Sequence, residues 1–178
     1  MARDWKVLAY EIIGVVFIIL LGSSLHFTYE LSGNSPIVGS FSPVNESVWE
    51  HMKMAFWPSL LWLIVEYVPL RKGTNNFFAA KALGAYVMVF AIPLIFYSYT
   101  SFTGESFLVI DIASFVAAIF LGQIVSYKIL TFKPLRRVGE RIACLMLFLL
   151  GASFVLFTFY TPHLQIFQNP VKGGYGIN

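Results

Sequence analysis

Apolar residues run along this chain in long blocks separated by short polar breaks. The first block, from Val7 to about Tyr29, contains a single carboxylate, Glu11. A helix needs about 20 such residues to cross the roughly 30 Å hydrocarbon layer of a bilayer. Four more blocks follow, at about 52–70, 77–97, 107–130 and 142–160. They predict an all-α fold class: a polytopic membrane protein with five transmembrane helices. A short amphipathic or re-entrant helix is expected just before the second. The breaks carry turn and breaker residues: Gly33, Pro36 and Gly39, then Arg71 to Asn76, Thr100 to Glu105, and Lys133 to Arg141. In the fourth block Ser114, Ala118 and Gly122 form a small-residue stripe, which lets helix backbones approach closely in lipid. The tail at 161–178, interrupted by Pro162, Pro170, Gly173 and Gly174, is too polar and broken to span.

Composition sharpens this picture. The 178 residues form one domain by length, with 58% apolar, 17% aromatic and only 12% charged residues and a mean hydropathy of +0.75. A net charge of +3 and a pI near 9.0 would suit nucleic acid, but the basic residues gather at the ends of apolar blocks. Membrane lipids are the expected partners, and nucleic acid is not. Cys144 is the only cysteine, so no intramolecular disulfide can form. The basic start and apolar middle of the first block imitate a signal peptide, but the block continues through Leu25 and Phe27, so a retained helix is expected. Arg3, Lys6, Arg71, Lys72, Lys133, Arg136, Arg137 and Arg141 fall on one face of the predicted topology, against Lys53 and Lys172 on the other. That asymmetry predicts a cytoplasmic N-terminus and an extracytoplasmic tail.

The densest chemistry lies between Ser42 and Lys53, which hold two carboxylates, a histidine, a lysine and a tryptophan in twelve residues. Ser42 before Pro43, or else Asn45, would cap the helix that begins here. Glu46, Glu50 and Lys53 would then share one side, with His51 about 100° round from Glu50. The plain reading is an acid-capped start to a membrane helix, with Trp49 as interface anchor. The functional reading adds the other outward-facing polar groups: His26 and Glu30 at i, i+4, Asp111 one turn into its helix, and Glu105 and His163. His26, Glu30, Glu50, His51 and Asp111 are the candidate ligands for a divalent metal such as zinc, with Glu50, His51 and Asp111 as the candidate catalytic groups. No His-Glu-x-x-His or His-x-His spacing supports this set. Glu11 and Glu66 are expected to pair with Lys81, Arg71 or Lys72 at the inner interface.

The run Phe41-Ser-Pro-Val-Asn-Glu-Ser-Val-Trp-Glu-His-Met-Lys53, preceded by His26-Phe-Thr-Tyr-Glu30, resembles the signature of an uncharacterised family of small prokaryotic integral membrane proteins. The ending Phe167-Gln-Asn-Pro-Val-Lys-Gly-Gly-Tyr-Gly-Ile177 is similar to that family's ending too. The resemblance implies a multi-pass protein of the prokaryotic cytoplasmic membrane, and it supplies no substrate and no catalytic residues. Three function classes follow from the residues. The first is metal-assisted hydrolysis of a lipid-like substrate in an outward-facing carboxylate and histidine pocket. The second is a small transporter or channel component using the same carboxylates as ion or proton sites, and the third is an accessory subunit without chemistry.

Overall fold

The computed structural model describes residues 2–177, apart from the side chains of residues 2, 3 and 137. The positive charges of Arg3 and Arg137 used in the topology argument, and Asn178, therefore lie outside the described residues. Six α-helices follow in order: α1 (Ala2–Leu31), α2 (Pro36–Gly39), α3 (Val48–Leu70), α4 (Phe77–Thr103), α5 (Leu108–Thr131) and α6 (Arg137–Phe159). A single 3-10 turn, Gln165–Phe167, interrupts the tail, and the described residues contain no strand.

Among the described residues four helices are long and apolar enough to cross a membrane: Asp4–Leu31, Phe77–Thr103, Leu108–Thr131 and Val138–Phe159. The expected count of five is not matched. The helix that falls short is α3, which has 23 residues but encloses Glu50, Lys53 and Glu66 together with Pro58 and Pro69. Nor is there a separate re-entrant helix before it. The only earlier piece is the one-turn α2, and the motif runs without a break into α3 because Ser47 caps that helix directly.

The packing follows from small residues and from outward-turned apolar ones. Most extensive is the α4–α5 contact, while α1 lies against α3 and α5, and α6 lies along α4. At the α4–α5 crossing a Cβ added to Gly122 would stand 2.6 Å from the Gly84 carbonyl oxygen and 2.2 Å from Met88 Cγ. Only a residue without a side chain permits that approach. Ile18, Ala55, Phe56, Val89, Ala118, Ile119 and Phe154 are fully enclosed between the helices. Leu20, Ile64, Val68, Leu94 and Phe148 instead point outward, each more than 60% exposed. An apolar exterior of this kind suits lipid as the surrounding solvent.

Candidate metal centre at one end of the bundle

The backbone of the motif is set by a cap. Ser47 sits in an extended conformation and its Oγ accepts from the Glu50 N–H at 3.4 Å, so α3 begins at Val48. Asn45 Oδ1 accepts from the Ser47 N–H at 2.8 Å, which turns the chain just ahead of the helix. Neither Ser42 nor Asn45 is therefore the cap. Glu46 is left in the turn, while Glu50 and Lys53 rotate into the protein.

Three donors meet outside that first turn. Glu46 lies 3.9 Å from His26 Nε2 through one oxygen and 3.4 Å from His51 Nε2 through the other. The two imidazole rings are 5.4 Å apart, and one ligand atom from each of the three residues fits within 4.8 Å of the others. His51 Nδ1 is 2.9 Å from the Ser47 carbonyl. Donation to that carbonyl fixes a proton on Nδ1, so Nε2 donates to Glu46 while the ring is protonated and presents its lone pair there once that proton leaves. All three side chains keep partial solvent access, between 32% and 48%. The Glu46 carboxyl is held below its ordinary range, first by the hydrogen bond from His51 and further by the charges of His51, His26 and Lys172.

A cavity of about 660 Å³ adjoins this trio, lined by His26, Glu30, Asn45, Glu46, Lys172 and Gly176 among others. Its far wall is the tail, which folds back to the motif. Asn45 Nδ2 donates to the Gly176 carbonyl at 2.9 Å, and Asn169 Oδ1 accepts the backbone N–H of Val171 at 3.0 Å and of Lys172 at 3.3 Å. Gly176 has φ +63°, and a Cβ there would come within 2.1 Å of Thr161 Oγ1. Rather than a free interface anchor, Trp49 is a clamp, with Phe154, Phe157 and Phe167 at 4.9, 5.5 and 4.7 Å.

The remaining sequence candidates divide as follows. Glu30 is exposed and lines the cavity. Glu50 is buried and paired with Lys53 Nζ at 2.7 Å, and it also accepts the Val44 N–H at 3.1 Å. It does not join the histidines. Asp111, in the first turn of α5, accepts the Tyr99 hydroxyl and lies within electrostatic reach of His51. His163 packs on Tyr175 at 4.6 Å and is not among the residues that line the cavity. Glu11 and Glu66 do pair with Lys81, but inside the bundle rather than at an interface. Glu46, which was not among the expected ligands, is the third candidate donor. Ser47-Val-Trp-Glu50 is the Ser-x-x-Glu signature of a helix start, and it would have placed Glu46 outside the helix.

One family model matches residues 3–177, nearly the whole chain. The chain belongs to the family of unknown function DUF6512. No curated protein and no solved structure matches it. In this DUF6512 member the histidine and carboxylate trio joins α1 to the α3 entry, and the tail lines the cavity beside it.

Proposed function

We propose that this protein is an integral membrane metalloenzyme that hydrolyses a lipid-like substrate at the surface of the bilayer. In this reading α3 crosses with the four apolar helices, its charged residues paired inside the bundle, so that five spans place the termini on opposite sides. The N-terminus is cytoplasmic, the tail and cavity are extracytoplasmic, and the membrane is the cytoplasmic membrane of a prokaryote. The supporting observation is the donor set itself: two histidines and one glutamate with ligand atoms within 4.8 Å, beside a cavity. Zinc hydrolases use two histidines, a glutamate and an open position for water. A divalent ion held this way supplies a water acidic enough to act as a nucleophile near neutral pH.

The chain's own residues define the rest of the site. His26 and His51 present Nε2, and the Ser47 carbonyl fixes the His51 tautomer. Glu30, in the same cavity, accepts a proton from the attacking water. Lys172 receives the anionic part of the substrate. Asp111 supports His51 electrostatically. Glu50 positions the motif through Lys53.

The test is elemental analysis of protein purified without a histidine tag, together with headgroup release from phospholipid vesicles. Stoichiometric zinc is expected in the wild type, lost in His26→Ala, His51→Ala and Glu46→Gln and kept in His163→Ala, with activity following the metal. Iron in place of zinc would redirect the chemistry to oxidation, since two histidines and one carboxylate also suit iron(II). Equal metal in the wild type and in a His26→Ala/His51→Ala double variant refutes the site. A second reading, ion or proton transport, is favoured by the charged pairs enclosed within the bundle, and proteoliposome flux without hydrolysis would select it. Neither metal, hydrolysis nor flux, with a co-purifying protein, would leave the accessory role.

A further inference from the structure

Far from the cavity, three charges meet between the helices. Glu11 of α1, Glu66 of α3 and Lys81 of α4 are 3%, 0% and 7% exposed. Lys81 Nζ donates to Glu11 Oε1 at 2.7 Å and pairs with Glu66 Oε2 as well. From α5, Ser126 Oγ donates to Glu11 Oε1 at 2.9 Å and Gln123 Nε2 to the Glu11 backbone carbonyl at 3.2 Å. Glu11 Oε2 and Glu66 Oε1 are buried and reach no donor among the described residues. One turn before Glu66, the 7%-exposed Trp62 directs its indole N–H toward it without completing a hydrogen bond. Tyr10 packs against that indole at 6.4 Å, and the Glu140 carboxylate of α6 is taken by the N–H groups of Phe78 and Ala79 at 2.9 and 3.2 Å.

Two carboxylates on one ammonium leave an excess negative charge in an enclosed place. An unpaired buried charge costs several kcal/mol, roughly, so something positive must compensate it. A metal cation is ill-suited, because hard cations take oxygen ligands throughout. Here Lys81, Ser126 and the Trp62 indole turn donor hydrogens toward the same carboxylates. A proton resolves the imbalance: it removes the excess charge and satisfies one of the unpartnered oxygens, Glu11 Oε2 or Glu66 Oε1.

We propose that Glu11 and Glu66 share one exchangeable proton, making the triad with Lys81 a proton-binding site inside the bundle. Hydronium, or a water chain carrying its proton, forms the carboxyl O–H and leaves water, and release is the reverse step. The proton belongs to the pair rather than to either residue. This site is independent of the metal reading. His26 follows Glu11 by fifteen residues in α1, and Glu66 follows His51 by fifteen in α3. The two sites therefore stand about 22 Å apart along the helices.

Infrared spectroscopy of the wild-type protein in lipid nanodiscs, titrated over pH, reads the site through the C=O stretch of a protonated carboxyl group. The expected result is a band that disappears on raising the pH. Glu11→Gln and Glu66→Gln should each abolish it, because the remaining carboxylate is then matched one to one by Lys81. Glu50→Gln, which removes the other buried carboxylate, should leave the band intact. Absence of a titrating band in the wild type overturns the proposal. So does loss of the band in only one of the two triad variants, which would mark a single isolated acid. Loss in Glu50→Gln overturns it too, and remains decisive even if a triad variant fails to fold. Sodium-dependent stabilisation of the wild type that Glu66→Gln removes would replace the proton with a cation.

Discussion

Replacing Lys53 with methionine should destabilise the protein severely, and the cost can be worked from its contacts. Lys53 is fully enclosed, so methionine preserves much of the stem's packing while removing the ammonium. That ammonium donates to Glu50 Oε2 at 2.7 Å, to the Gly39 carbonyl at 2.9 Å and to the Thr158 hydroxyl. Three segments (the α2 turn, the motif and α6) therefore converge on one nitrogen. Without it Glu50 remains buried with only the Val44 N–H at 3.1 Å and the more distant Thr158 hydroxyl at 3.4 Å. Removing one partner of a buried ion pair costs about 3–5 kcal/mol, and the orphaned Gly39 carbonyl pushes toward the upper end. For a chain of this size that is a fall of roughly 6–20 °C in Tm. Glu50→Gln/Lys53→Met should recover more than half of the loss, because glutamine still accepts from Val44 and carries no charge. Thermal unfolding in detergent micelles, followed by tryptophan emission, reads both variants, since Trp49 sits against Phe154 and Phe167. A single variant that loses less than about 1 kcal/mol, the scale of an exposed pair, would refute the reasoning. A double variant worse than the single would refute it equally.

Gly122→Ala should separate α4 from α5 at a cost of about 1–3 kcal/mol, seen as a lowered Tm, because its methyl meets Met88 and the Gly84 carbonyl. In metal-free protein the folded Glu46 carboxyl lies below its ordinary value of 4.5. Its contribution to stability is therefore present above that value and lost as pH falls through the depressed one, and Glu46→Gln should flatten the acid side of the stability profile. Reporter fusions after Arg71, Glu105 and Arg137 should read inside, outside and inside. An outside signal at Arg71 would reverse the membrane orientation and place the cavity in the cytoplasm.

What the sequence disclosed depended on the range of the interaction. Apolar blocks are local, so the helices emerged close to where they lie: 77–97 became Phe77–Thr103 and 107–130 became Leu108–Thr131. Pro93 did not stop α4, which continues to Thr103. The start of α3 was misplaced because three residues before it, Ser42, Asn45 and Ser47, are all good caps. Choosing the wrong one rotates every side chain in the motif. With either earlier cap Glu46, Glu50 and Lys53 share one helix side; starting α3 at Val48 instead leaves Glu46 in the turn beside the histidines, while Glu50 pairs with Lys53. His26 and His51, by contrast, were both candidates, although nothing local brings α1 beside α3. The depth of Glu11 and Glu66 was hidden as well, since basic residues near in sequence suggested an interface and only the packing shows Lys81 enclosed with them.

The cavity beside the trio takes one wall from α1, one from the turn before α3, and its last from Asn169, Lys172 and Gly176. If the helices insert in the order they are made, every histidine and glutamate of the trio is in place long before that last wall exists. The site passes through a stage in which it is open on the side the tail will cover. Under the proposed function, an ion can enter at that stage from the side that the tail, tied to Asn45 through Gly176, later lines. Under that reading, loading during biogenesis and exchange in the finished protein are two different processes, and only the second involves the tail.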